Sequence, residues 1–178
     1  MLFRSKISFL IAYVSNKKGN LDIWSKDLRS GVETAAAAGG APKRYPIISP
    51  SGSRIIYGEQ AGGSSVGYLV SAAGGDPAKI CEGCTQAFDW SPDERGTLIL
   101  QQHGSSPLSV DLLKLPSRET AGFLQHPKWN LSSPRFSPDG RWIVFHAIVG
   151  PVRRQIFVAP GKLIFSAAEF TGNTWILQ

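Results

Sequence analysis

Short apolar runs recur along the chain, and glycine, proline and serine separate them. Three of these runs are Ile55–Tyr57, Leu98–Leu100 and Trp142–Phe145. They are rich in β-branched and aromatic residues, which is typical of buried strands, and no stretch sustains a helical period. A Ser-Pro turn precedes each run, and further apolar residues precede each turn. The pattern therefore predicts three β-hairpins whose second strand is buried.

A further strand follows each hairpin, as in Val66–Val70 after the first one. The serines of the three Ser-Pro turns, Ser49, Ser91 and Ser137, are 42 and 46 residues apart. A repeat of this length, made of short strands and tight turns, indicates the blades of a β-propeller. We predict an all-β fold of about four blades, forming a partial or truncated propeller. The repeat aligns Tyr13, Tyr57, Leu100 and Phe145.

The turns between the paired strands have residues suited to their geometry. Proline presets φ at the first central position, aspartate bonds nearby backbone, and glycine accepts a positive φ. Turns are predicted at residues 49–52, 91–96 and 137–140. The residues assigned to this structural role are Ser49, Pro50, Gly52, Ser91, Pro92, Asp93, Ser137, Pro138, Asp139 and Gly140.

Both ends of the chain depart from the repeat. Arg4 and Lys6 before an apolar run suit a signal peptide, but no small-residue cleavage site follows, so Ile11–Val14 is predicted to be a buried strand. Leu163–Phe165 and Trp175–Leu177 are expected to be closing strands. The expected blades cover residues 1–40, 41–84, 85–130 and 131–160, with the closing strands in 161–178. Four partial blades suggest a fragment of a larger bacterial protein.

One segment, Val32–Ala38, has the composition of a helix because it contains four consecutive alanines. The neighbouring Gly39-Gly40 pair and Pro42 favour an outer strand followed by a loop. The strand is the preferred interpretation, and the helix remains the alternative.

The chain carries a net charge of +6 and has a pI near 9.6. Its cations form separated pairs, Lys17-Lys18, Lys43-Arg44 and Arg153-Arg154, without the interleaved aromatic residues that a nucleic-acid surface uses. A solvated surface is favoured over weak attraction to an acidic partner, and no nucleic-acid partner is expected. No apolar stretch is long enough to span a bilayer.

Two cysteines, Cys81 and Cys84, form a single Cys-x-x-Cys sequence. Structural thiols or a local disulfide are favoured over a shared metal site or a redox pair, because a structural zinc needs four ligands. Residues 63–67 match Gly-x-Ser-x-Gly, but a hairpin loop is the wrong context for a nucleophile elbow. We therefore predict no catalytic residues, no cofactor and no metal.

The segment Ser137–Phe145 resembles the WD-repeat-like blades of the TolB-like propeller family, and the resemblance extends over most of residues 9–160. Cys81-x-x-Cys84, His126-Pro-Lys-Trp129 and Gln155–Pro160 resemble, more narrowly, C-terminal propellers of bacterial multidomain kinases or transcriptional regulators. The resemblance implies a sensing or protein-binding module without chemistry of its own. Kinase activity is not implied, because the sequence has no glycine-rich loop, His-Arg-Asp or Asp-Phe-Gly.

Two functions follow from these expectations. The first is a non-catalytic scaffold that binds a protein or peptide through the loops on one face of the blades. The alternative is the gating propeller of a prolyl-oligopeptidase-type serine hydrolase whose catalytic domain lies elsewhere. The residues predicted to contact the partner are Lys17, Lys18, Arg44, Tyr45, His103, Trp129, Arg153 and Arg154.

Overall fold

A computed structural model describes residues 9–61, 64–84, 86–150 and 153–161. This part of the chain contains fourteen β-strands and no helix, so it is all-β as predicted. No segment in those ranges is a helix that could cross a membrane. The chain divides into two compact units, Met1–Trp90 and Ser91–Gln178.

The strands form four antiparallel sheets, and each strand pairs with its neighbours in the chain. The first sheet contains β1 (Leu10–Ser15), β2 (Asp22–Asp27) and β3 (Glu33–Ala37). The second contains β4 (Lys43–Ile48), β5 (Arg54–Ala61), β6 (Ser64–Ser71) and β7 (Ala78–Glu82). The third contains β8 (Gln86–Trp90), β9 (Gly96–Gln101), β10 (Ser109–Lys114) and β11 (Thr120–Leu124). The fourth contains β12 (Leu131–Phe136), β13 (Trp142–Ile148) and β14 (Arg154–Pro160).

Four-stranded antiparallel meanders are the blades of a propeller, so these sheets correspond to two full blades and two incomplete ones. The first sheet lacks an inner strand and the fourth lacks an outer strand among the described residues. The predicted closing strands, within 161–178, fall almost wholly outside those residues. The division into blades at the stated residue boundaries stays a prediction.

The alanine-rich segment forms strand β3, as preferred, and not a helix. Ala36 and Ala37 are buried against the second sheet, where larger side chains would not fit as closely. Gly39 and Gly40 follow with φ of +75° and +72°, which ends the strand.

The Ser-Pro turns are built as the sequence predicted. In all three, the serine carbonyl accepts the amide of the residue three positions on, at 2.8 Å. Asp93 and Asp139 each accept the hydroxyl of the turn serine at 2.6 Å. In the middle turn Glu94 takes the left-handed conformation, with φ of +60°, at the position that glycine holds in the other two.

The alignment of the third repeat is corrected by one residue. The amide of the turn serine bonds the carbonyl five positions on, at Arg54, Gly96 and Trp142. Ile99, and not Leu100, therefore occupies the position of Tyr57 and Phe145. The three turns are equal in length, whereas the turn predicted at 91–96 was longer than the other two.

The buried runs differ from the expectation in two places. Ile55–Tyr57 and Leu98–Leu100 are buried throughout, as predicted. In β13, however, only alternate residues are buried, and in β1 Ile11 is exposed while its neighbours are half-buried. A strand is buried on both sides only where a sheet covers both of its faces. The core of the first unit, between its first two sheets, contains Ile23, Ala36, Ala37, Ile55, Tyr57, Val70 and Ala72.

Candidate functional site

The loop face of the first unit contains the Lys17-Lys18 pair, in the turn between β1 and β2. Lys17 forms an ion pair with Glu33 and bonds the Tyr13 hydroxyl at 3.1 Å. Both lysine ammonium groups lie over the Trp24 ring, at 5.0 and 5.5 Å from its centroid. These two predicted contact residues are therefore engaged within the first sheet.

The same cluster shifts the pKa values of Glu33 and Lys17. Bonds from Lys17, then from Tyr13 and Lys26, bring the pKa of Glu33 down to about 2. The bond to Glu33 in turn raises the pKa of Lys17. Glu33 and Lys17 therefore both stay charged at neutral pH.

Arg44 and Tyr45 lie on strand β4 and not in a connecting loop. Both side chains are exposed, and Tyr45 has a φ of +55° at an irregularity of the β4–β5 pairing. Their neighbour Lys43 is buried, and its ammonium bonds Glu59 at 3.2 Å and the Ala41 carbonyl at 3.2 Å. Of this basic pair, only Arg44 is available to a partner.

His103 belongs to a polar network in the second unit. Its Nε2 lies 2.9 Å from Oδ2 of Asp111, whose other carboxylate oxygen accepts the Ser109 hydroxyl at 2.8 Å. Asp111 is fully buried on the central strand β10. Serine, aspartate and histidine do not form a nucleophilic triad here, because the serine bonds the aspartate and not the histidine. The network fixes the β9–β10 loop.

Trp129, between β11 and β12, stacks with two other aromatic rings. The centroid of its ring lies 4.0 Å from that of His126 and 6.0 Å from that of Phe157. The Phe157 ring in turn stacks with the Phe145 ring, at a centroid distance of 5.7 Å. The Nδ1 of His126 accepts the amides of Lys128 at 3.2 Å and Trp129 at 3.1 Å. The tryptophan is half-buried, so part of its side chain remains accessible to a partner.

This geometry predicts a pH-dependent stability. Burial, and then the charge of Lys128, lower the pKa of His126, so the folded chain favours neutral imidazole. Stability should be complete above the ordinary histidine pKa of about 6.5 and should decline as the pH falls through that value. The His126→Asn variant keeps a hydrogen-bond acceptor but has no group that titrates, so it should lose less stability than the wild type between about pH 7.5 and 5.5. Urea midpoints measure this, with His146→Asn as the control, and equal losses in all three chains would contradict it.

Arg153 and Arg154 are exposed, and neither forms an ion pair with another residue that the structure describes. They stand at the start of β14, beside the β13–β14 loop, two of whose residues lie outside the described ranges. The Arg153 carbonyl accepts the Val149 amide at 2.9 Å, which holds the two ends of that loop together.

Asn130 joins three loops of the second unit, a role that the sequence did not reveal. Its side-chain oxygen accepts the Leu108 amide at 2.7 Å, and its carbonyl accepts the Ile148 amide at 3.0 Å. The loops that contain His103, Trp129 and Arg153 therefore lie at the same end of this unit. In the first unit, Lys43 and Asp22 hold the loops in a similar way, since Asp22 accepts the Gly39 amide at 2.9 Å.

Clefts lie on the opposite, turn-bearing side of each unit. One of about 600 Å³ adjoins the turns at Ser91 and Asp139, and one of about 530 Å³ adjoins Gly52 and Ser53. Asp139 belongs to its turn: the Ser137 hydroxyl and Arg141 bring its pKa down to about 2. The residues of these turns were predicted from backbone geometry alone, which does not indicate the clefts.

Cys81 and Cys84 form a disulfide next to β7. It lies against Gly67 of β6, where an added β-carbon would meet both sulfurs. No group of three or more metal-ligating side chains occurs in the described part of the chain.

No protein-family model matches the sequence, and no curated protein is significantly similar to it. Solved structures do match. TolB from Acinetobacter baumannii has a TM-score of 0.70 at 16% identity, over 86% of this chain and 38% of that one. The putative TolB from Agrobacterium tumefaciens has a TM-score of 0.65 at 22% identity, over 78% and 51%.

A protease is also similar. Prolyl oligopeptidase B from Galerina marginata has a TM-score of 0.60 at 17% identity, over 85% of this chain and 27% of that one. The chain thus spans about half or less of the length of these proteins, and at such identities the likeness concerns the fold. The resemblance to kinase or regulator propellers is not among these findings. In its fold, the chain is a partial TolB-like β-propeller.

Proposed function

We propose that the chain is a non-catalytic propeller scaffold that binds a protein or peptide through the loops of its second unit. The observation that carries this proposal is the set of bonds made by Asn130. They place the Trp129 loop beside the loop that ends at Arg153 and Arg154. Tryptophan and arginine are enriched at the centres of protein interfaces. Exposed guanidinium groups beside an aromatic edge suit a segment with an acidic residue next to an apolar one.

Predicted contact residues elsewhere have a smaller part in this proposal. Lys17 and Lys18 are engaged with Glu33 and Trp24, and His103 is engaged with Asp111. Arg44 and Tyr45 remain exposed and would form a separate contact region in the first unit. The partner is expected to be a protein or peptide, and a selection experiment is needed to identify its sequence.

Selection from a displayed library of random peptides, followed by affinity measurement, tests the proposal. Trp129→Ala and Arg153→Ala should each weaken the binding of the selected peptides by about 2 kcal/mol, which is roughly thirtyfold in affinity. Arg141→Ala is the matched control, since Arg141 is an exposed arginine on the turn side. If Arg141→Ala abolishes binding while the two loop changes leave it intact, binding belongs to the turn side and the proposal is wrong.

A second candidate is the gating propeller of a prolyl-oligopeptidase-type hydrolase. The similarity to prolyl oligopeptidase B favours it. The neighbouring reading frames distinguish the two candidates. A downstream α/β-hydrolase sequence in the parent gene would favour the gate, and an upstream kinase or regulator sequence would favour the scaffold.

A further inference from the structure

One face of the fourth sheet is apolar and exposed. In β13 and β14 the side chains alternate, so that Ile143, Ala147, Phe157 and Ala159 are buried on one face. The opposite face, here called the outer face, carries the exposed residues Trp142, Val144, Ile148, Ile156 and Val158. The pairing of Val144 with Val158 confirms that the two strands contribute to the same face. Ile156 is 65% exposed, which is unusual for a large apolar side chain within a strand.

The corresponding positions of the two preceding sheets are covered. Val144 is equivalent to Ile56 and Leu98 by the turn hydrogen bonds, yet Val144 is 39% exposed while those two are 1% and 0% exposed. In the first unit the strand β8 lies against β5, and in the second unit β12 lies against β9. In both cases the inner strand of the following sheet contacts the sheet before it. The outer face has the chemistry of a surface that another such sheet covers.

The first sheet has a partly apolar face that points away from the second sheet. Ile11, Tyr13 and Trp24 share it, as the pairing of Tyr13 with Trp24 shows. Ile11 is exposed and Tyr13 is half-buried, whereas Trp24 is buried and has the ammonium groups of Lys17 and Lys18 over its ring. Of the eleven exposed large apolar residues in the described ranges, ten lie in or beside the first and fourth sheets. Tyr45 alone lies in the second sheet. Exposed apolar side chains are therefore concentrated on the two terminal sheets.

We propose that the outer face of the fourth sheet docks onto the first-sheet face of a second copy of this chain. The occupant is a sheet of the same repeat, which is what covers the equivalent faces within each unit. The two faces differ, so the contact is heterologous, and it closes into a ring or extends as a filament. Two lysine ammonium groups lie over Trp24 on the first-sheet face, whereas Val144 and Ile156 on the outer face lie beside the half-buried His146, with which Ile156 pairs. New cations at Val144 and Ile156 would therefore face those lysines and repel the partner.

Sedimentation of the full chain over a range of concentrations tests this contact. The wild type should associate with increasing concentration, and Val144→Lys with Ile156→Lys should weaken association by at least about tenfold. Ile11→Lys should weaken it similarly. Thr120→Lys adds the same charge at an exposed position of the third sheet and should leave it unchanged. A wild type that stays monomeric up to about 100 μM would overturn the proposal.

A mixture of variants distinguishes this contact from a symmetric one. The Val144→Lys/Ile156→Lys chain retains its first-sheet face, and the Ile11→Lys chain retains its outer face. Neither should associate alone, whereas an equimolar mixture should form a one-to-one complex. If Ile11→Lys leaves self-association unchanged, the outer faces contact each other and the head-to-tail proposal is wrong.

Discussion

Replacing Lys43 with methionine should lower the free energy of unfolding by about 3–5 kcal/mol. The ammonium group of Lys43 is buried and bonds the Glu59 carboxylate at 3.2 Å, the Ala41 carbonyl at 3.2 Å and the Gly39 carbonyl. Methionine fills a similar volume but leaves the carboxylate without its counter-charge. An unpaired buried charge costs more than the pair itself contributes. Urea unfolding followed by far-ultraviolet circular dichroism measures the loss.

Two variants show whether the loss comes from the charge. Arg44→Met alters the next residue, which is exposed, and should change stability by no more than about 0.5 kcal/mol. Adding Glu59→Leu to Lys43→Met removes the carboxylate that has lost its counter-charge and should restore most of the stability. If the double variant is as unstable as Lys43→Met, the loss belongs to packing or to the loop carbonyls, and the explanation by charge fails.

Gly67→Ala is expected to prevent the Cys81–Cys84 disulfide from closing in its present place. A β-carbon at Gly67 would lie 2.5 Å from the Cys81 sulfur and 3.1 Å from the Cys84 sulfur, closer than such atoms approach. The strand or the disulfide must shift, and overpacking of this kind costs about 1–3 kcal/mol. The variant should show titratable thiols under conditions in which the wild type shows none.

The control for this prediction is the neighbour across the strand pair. Gly58 pairs directly with Gly67, yet a β-carbon there would come no closer than 3.8 Å to any atom. Gly58→Ala should keep the disulfide closed and should nearly preserve the urea midpoint. Equal behaviour of the two variants in thiol titration and in unfolding would show that space at Gly67 is unimportant.

The sequence predicted the strands and turns well because those depend on nearby residues. The Ser-Pro turns are closed by bonds within six residues, so their composition identified them. Burial was predicted less well. The run Trp142–Phe145 has the composition of a buried strand, but whether a sheet covers its second face is not a local property. The same limit explains why Ile11 was expected to be buried.

The candidate site depended even more on distant contacts. Lys17 was predicted to contact a partner, but its counter-ion Glu33 lies sixteen residues further along the chain, at the start of β3. His103 meets Asp111 only through the register of β9 on β10. Nothing in the residues next to Asn130 in the sequence indicates that it bonds two other loops. Strand pairing brings the first two pairs together, and a contact between loops distant in the sequence involves Asn130, so hydrophobic periodicity indicates none of the three.

The consecutive order of the strands within every sheet bears on how the chain acquires its structure. Within residues 9–61, 64–84, 86–150 and 153–161, each strand pairs only with the strand that precedes or follows it in the chain. Closing such short loops costs little entropy, and local contacts of this kind favour rapid folding. A hairpin can therefore form as soon as its two strands have been synthesised, before the rest of the chain exists. Damage to one repeat should then remain confined to that repeat and its immediate neighbours.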